Sequence, residues 1–183
     1  LKLEYVLETH VHADHITGAD LIRSKADVKI VYGSKTGVKG ADIFLNDNDD
    51  LSFGKHTIKA IHTPGHTSGC TSYYINGYIF TGDTLFIEGT GRTDFQGGSS
   101  SDTYDSVTKK IFIFPDETIV YPGHNYNGFT CSTISEEKKS NPNVGLHVSK
   151  EEFLDNESKK ERPYPKRFDI AVPANLVCGK NKI

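Results

Sequence analysis

Between Glu8 and Gly18 the chain reads ETHVHADHITG, which places three histidines and an aspartate within eleven residues. The preceding stretch, LKLEYVLE, alternates Leu1, Leu3, Tyr5 and Leu7 with mostly polar neighbours, the two-residue period of a strand with one buried face. If that extended backbone runs on, the i, i+2 spacing of His10 and His12 sets both imidazoles on one side, with Asp14 and His15 at the turn into a helix. Four ligand-type side chains then converge where a strand ends.

Three later segments repeat the device. TPGH ends at His66, TGD at Asp83 and YPGH at His124; in each, glycine or proline halts a β-run and a ligand-type residue follows. The ends of separate strands in one sheet reach a common rim, so His10, His12, Asp14, His15, His66, Asp83 and His124 read as a single site. A histidine-rich set with two carboxylates and no cysteine suits zinc, iron or manganese, and argues against calcium or copper(I). His56, His62 and His147 lack this spacing and read as ordinary hydrogen-bonded or exposed side chains.

The rest of the chain supplies a frame. ITGADLIRSK predicts a helix, VKIVYG a strand, and residues 37–49 (GVKGADIFLNDND) a loop. DLSFGKHTIKAIH predicts a hairpin turning near Gly54, and TSYYINGYIFTGD a tight hairpin at Asn76 and Gly77. GTGRTDFQGGSS is a glycine-rich loop that matches neither a Walker pattern nor a dinucleotide fingerprint. A helix follows from about Asp102 to Lys110, then a short strand in ETIVYPGH, a helix from near Ser132 that stops before Pro142, and a last helix opened by Ser149 and Glu152. The tail PYPKRFDIAVPANLVCG carries too many prolines for a helix and is expected to lie extended. Neither repeat nor linker divides the chain, which is expected to form one domain over residues 1–183.

Composition narrows the partners. The net charge of −3 and a pI near 6.2 give no footprint for nucleic acid or an anionic membrane, so a small-molecule substrate is expected. No apolar run approaches the roughly 18 residues of a membrane span. Cys70, Cys131 and Cys178 form no CxxC pair and read as inert thiols. The chain lacks methionine, unusual at 183 residues, which reads as a fragment or as a sequence that has lost some residues.

Taken together, THVHADH, TPGHTSG, TGDTLF and YPGH resemble the metallo-β-lactamase superfamily. The resemblance implies an α/β fold, a four-layer αββα sandwich with metal at one rim. That fold normally has strands before its HxHxDH, which here begins at residue 10, so N-terminal strands are expected to be missing from this chain. Within the superfamily, ETHVHADHITGA, GRTDFQGG, GHNYNGFTCSTISEEKKSNP and DIAVPANLVCG resemble the persulfide dioxygenases. The sister hydroxyacylglutathione hydrolases (glyoxalase II) share the ligands but carry a larger helical C-terminal region.

The resemblance implies a non-haem iron dioxygenase that oxidises glutathione persulfide with O2 to sulfite and glutathione. It implies His12, His66 and Asp83 as ligands of one Fe(II), with His10, Asp14, His15 and His124 around them or serving a second metal. Tyr126 and Arg92 are the implied substrate contacts, Arg92 competing with a structural pairing to Asp94. The hydrolase alternative implies two Zn(II), or a mixed zinc, iron and manganese pair, attacking a thioester. The family habit admits a homodimer, and a cytoplasmic setting is expected, or the mitochondrial matrix in a eukaryote.

Overall fold

The computed structural model describes residues 1–126 and 128–180. In chain order these form β1 (Tyr5–Leu7), α1 (Ala19–Arg23), β2 (Lys29–Gly33), β3 (Ile43–Leu45), β4 (Asp50–Phe53), β5 (His56–His62), β6 (Thr71–Ile75) and β7 (Tyr78–Gly82). After them come α2 (Ser100–Ser106), which widens into a π turn over Val107–Ile111, then β8 (Ile119–Pro122), β9 (Ser132–Thr133), α3 (Ile134–Ser140), α4 (Lys150–Ser158) and α5 (Phe168–Asn175).

Strands β1, β2 and β3 make a parallel three-stranded sheet. Strands β4 to β9 lie side by side in chain order in a second sheet, antiparallel except for the β7 and β8 pair. That one parallel pair requires a crossover, which α2 and its π turn provide.

Three apolar clusters mark three interfaces between four layers. Ile30 and Tyr32 of β2 pack with Ala19, Val172, Leu176 and Cys178, so α1 and α5 cover the outer face of the first sheet. Val31, one residue out of phase, points the other way to meet Leu51, Ala60 and Tyr73 between the sheets. Ile79, Val107, Ile111, Val120, Ile134 and Phe153 seal the far face of the second sheet beneath α2, α3 and α4. The expected αββα sandwich is therefore present, and β2 reads as an unbroken apolar run because both its faces are covered.

Local chemistry sets the element ends. Asn76 and Gly77 both hold positive φ, 48° and 82°, as a two-residue hairpin turn requires. Thr133 and Glu136 form a reciprocal capping box at α3, and the Ser149 hydroxyl accepts from the Glu152 amide at α4.

Three expectations need correction. The segment taken as loop contains β3, whose three residues are held by pairing with β2 rather than marked by any alternation of their own. The tail taken as extended forms α5 despite Pro173 inside it. Burial of Ala171 and Asn175, with Val172 and Leu176 packed on the first sheet, outweighs the one backbone bond that Pro173 forgoes. Finally, β1 stops at Leu7, so the histidine motif lies beyond the strand and its i, i+2 alternation no longer dictates direction.

Phe153 is fully buried against Tyr104 on the side of the second sheet away from the first. Phe153→Ala should lower stability by about 3–5 kcal/mol, measured by urea denaturation.

Candidate metal centre

Asp83 sits one residue past β7, 8% exposed, and is the hub of the rim. Two glycines let it reach that position. Gly82 holds φ of 53°, and a Cβ there would come within 2.4 Å of Thr9 Oγ1. At Gly123 a Cβ would stand 2.5 Å from Asp83 Oδ1 itself. The glycines of TGD and YPGH thus clear space for one carboxylate as well as ending strands.

Three imidazoles face Asp83 Oδ2 through Nε2: His66 at 3.6 Å, His124 at 3.7 Å and His10 at 3.9 Å. Two of the opposite ring nitrogens are engaged. His66 Nδ1–H donates to the Arg92 carbonyl at 2.7 Å, and His10 Nδ1 lies 2.9 Å from Thr9 Oγ1. The Arg92 carbonyl fixes the proton of His66 on Nδ1 and so directs its Nε2 lone pair into the cluster, as a metal-ligating histidine requires; the Thr9 hydroxyl can accept from His10 Nδ1 to do the same.

Electrostatics agree. Burial first, and the neighbouring histidines second, hold His10 well below the usual imidazole value, so it stays neutral. Burial raises the Asp83 carboxyl above the ordinary carboxylate value, only partly countered by His66, His124 and His12. Among the described residues, Asp83 Oδ1 is buried with no hydrogen-bond partner. A buried carboxylate oxygen without a donor, amid ring nitrogens that can serve as ligands, is costly by itself and fits a divalent cation.

Ligand atoms of His10, His66 and Asp83 lie within 4.8 Å of one another, and so, separately, do those of His12, Asp14 and His15. The sequence expectation placed His12 with His66 and Asp83; His10 stands there instead. The reason is local: outside β1, His12 turns its Nε2 onto Glu8 Oε2 at 3.1 Å, while His10 is 1% exposed. Burial opposes a charge on His12, but the hydrogen bond and the charge of Glu8 outweigh it and raise its pKa. His15 Nδ1 and Asp14 Oδ1 pair at 3.1 Å, and His124 Nε2 lies 3.4 Å from Asp14 Oδ2. The seven residues do converge on one rim.

A cleft of about 240 Å³ opens over this rim, lined by His66, Asp83, Phe86, Arg92, His124 and Tyr126 among others. Tyr126 is 81% exposed and stacks at 6.1 Å from the His124 ring. Arg92 reaches the same cleft, but its fork grips Asp94 through two 2.7 Å bonds and Nη1 donates to the Pro163 carbonyl. Its guanidinium holds the loop whose carbonyl orients His66. Three supporting residues escaped sequence reasoning: Glu8, Gln96 and Asn175, none of which carries a ligand spacing or a periodicity to mark it.

The model of the metallo-beta-lactamase superfamily matches residues 1–124, from β1 to His124. The mitochondrial persulfide dioxygenase ETHE1 of Homo sapiens is 43% identical over 181 residues, 98% of this chain and 70% of that protein. The crystal structure of ETHE1 from Myxococcus xanthus superposes with a TM-score of 0.95 at 44% identity, covering 98% of this chain and 79% of that one. A hydroxyacylglutathione hydrolase of Hamiltonella defensa is 34% identical over 96% of this chain and 70% of its own length. The chain belongs to the metallo-β-lactamase superfamily and, within it, to the persulfide dioxygenase family.

In metal-free protein the raised Asp83 pKa means that the native state keeps a proton after the unfolded chain has lost it. The contribution of Asp83 to stability is therefore most favourable below the ordinary carboxylate range, near 3.9, and is lost as pH rises through its native value. Asp83→Asn should accordingly raise the melting temperature of chelator-treated protein at pH 7 while abolishing metal binding, as read by thermal scanning and metal analysis. His10 acts with the opposite sign. Being held neutral, it should cost stability as pH drops below about 6.5, where the unfolded chain takes up its proton.

Proposed function

We propose that this chain, as a single domain, is a persulfide dioxygenase in which His10, His66 and Asp83 hold one Fe(II). The observation that carries this reading is the buried Asp83 carboxylate, its Oδ1 without a hydrogen-bond partner among the described residues and its Oδ2 faced by the Nε2 atoms of His10 and His66. The 43% identity to a named persulfide dioxygenase supports the same choice over the hydrolase. When bound, Fe(II) supplies the redox chemistry and the vacant positions of a two-histidine, one-carboxylate triad.

The net reaction breaks the sulfur–sulfur bond of glutathione persulfide. Glutathione leaves as its thiol, and the terminal sulfur becomes sulfite, one O2 and one water providing its three oxygens. In this reading Phe86 and Tyr126 give the cleft an aromatic wall for the thiol's peptide body, and the exposed Tyr126 is the more accessible contact. Arg92 acts by fixing His66 through its carbonyl, while its guanidinium stays with Asp94. His124 Nε2, held near Asp14 Oδ2, is the cleft imidazole outside the triad and is placed to take the persulfide proton. A cytoplasmic setting, or the mitochondrial matrix in a eukaryote, suits this chemistry; among the described residues no helix is long and apolar enough to cross a membrane.

One observation favours the alternative, a dinuclear thioesterase. His12, Asp14 and His15 form a second group, and His124 adds a third imidazole facing Asp83. Oxygen uptake by iron-loaded protein with glutathione persulfide separates the two readings. Uptake with stoichiometric sulfite is expected; turnover of S-lactoylglutathione by a two-zinc form with no oxygen consumed would overturn the dioxygenase. His124→Ala should retain iron and lower kcat by about 10²-fold, whereas a dinuclear enzyme should lose one of its two metals.

A further inference from the structure

Two segments that distinguish this chain in sequence, GRTDFQGG over residues 91–98 and DIAVPANLVCG over 169–179, provide no residue of the proposed triad. Both nevertheless end on the same target. Gln96 Nε2 donates to the Val11 carbonyl at 2.8 Å. Asn175, fully buried, accepts from the Thr17 amide at 2.9 Å through Oδ1 and donates through Nδ2 to the carbonyls of His12 and His15, each at 2.8 Å.

The motif between β1 and α1 belongs to neither a strand nor a helix, so no regular ladder fixes the directions of its side chains. Side chains from more than 80 positions away supply its backbone partners instead. Gln96 does so from a strained conformation. Its φ of 51° is one that glycine adopts freely and a side-chain-bearing residue adopts at a cost, and Gly97 and Gly98 follow directly. Local backbone preference would favour glycine at residue 96; the bond to Val11 gives a reason for glutamine.

We propose that Gln96 and Asn175 form a clasp on the backbone of residues 11–17, acting as positioning residues that hold the segment directly after His10 and so fix the aim of that imidazole toward the metal. The proposal rests on the metal site argued above. It differs from a purely structural role in one respect: loosening the clasp should weaken the metal without weakening the metal-free fold.

Gln96→Gly is the test, because it removes the side-chain bond and relieves the strained φ at once. In chelator competition the variant should bind Co(II) about tenfold more weakly, with an altered visible absorption spectrum, while the melting temperature of metal-free protein stays equal or rises. Gln96→Glu keeps the side-chain length but turns an oxygen toward the Val11 carbonyl, and should weaken the metal at least as much. Asn175→Asp keeps the acceptor for Thr17 and removes both donors, with the same expected loss; should it fail to fold, the Gln96 variants carry the test. His66→Ala serves as the reference. Wild-type Co(II) affinity in Gln96→Gly alongside its loss in His66→Ala overturns the clasp and leaves the metal site standing. A lower metal-free melting temperature in Gln96→Gly overturns it in favour of a structural role. Retention of metal by His66→Ala overturns the metal site and the clasp together.

Discussion

The buried carboxylate of Asp83 is the constraint on which the rim is built. A carboxylate held away from water is unfavourable unless charge or donors meet it. Here the nearby side-chain nitrogens belong to imidazoles whose other nitrogen, for His10 and His66, is already turned to Thr9 or to the Arg92 carbonyl. Folding brings together groups that repay their burial only when a cation joins them. Much of the surrounding geometry serves this end, including the close approach of Gly123 and the left-handed turn at Gly82.

The sandwich explains how residues so far apart in sequence meet. The first sheet ends at the HxHxDH loop, and the second delivers Asp83 after β7 and His124 after β8, parallel neighbours whose C-terminal ends lie together. His66 arrives on the turn after β5. Tyr73 of β6 ties the two sheets at this edge, its hydroxyl donating to the Glu8 carbonyl at 2.9 Å. The helices outside the sheets bury the apolar faces and leave the rim open, so the fold separates stability from chemistry.

Much of this was legible in the sequence, for physical reasons that differ between elements. The hairpin at Asn76 and Gly77 was plain because its turn demands positive φ, and the convergence of seven ligand-type residues followed from strand ends marked by glycine and proline. What escaped was set by tertiary contact. Strand β3 exists because β2 offers it an edge, and α5 forms around a proline because the first sheet needs a cover. The grouping of His10, rather than His12, with His66 and Asp83 has the same origin. Spacing reported that both rings were near, but it did not report the bond of His12 Nε2 to the Glu8 carboxylate, itself bonded by the Thr17 hydroxyl. Asn175 illustrates the limit most clearly, since an asparagine before Leu176 looks like any helix end until its three partners are known.

The central claim is that a single cation sits between His10, His66 and Asp83. Its most direct test is an anaerobic Fe(II) titration of the wild type and single alanine variants, followed by metal quantification. One equivalent per chain is predicted, lost in His10→Ala and kept in His12→Ala. Two tight equivalents in the wild type, or loss in His12→Ala with retention in His10→Ala, would contradict it.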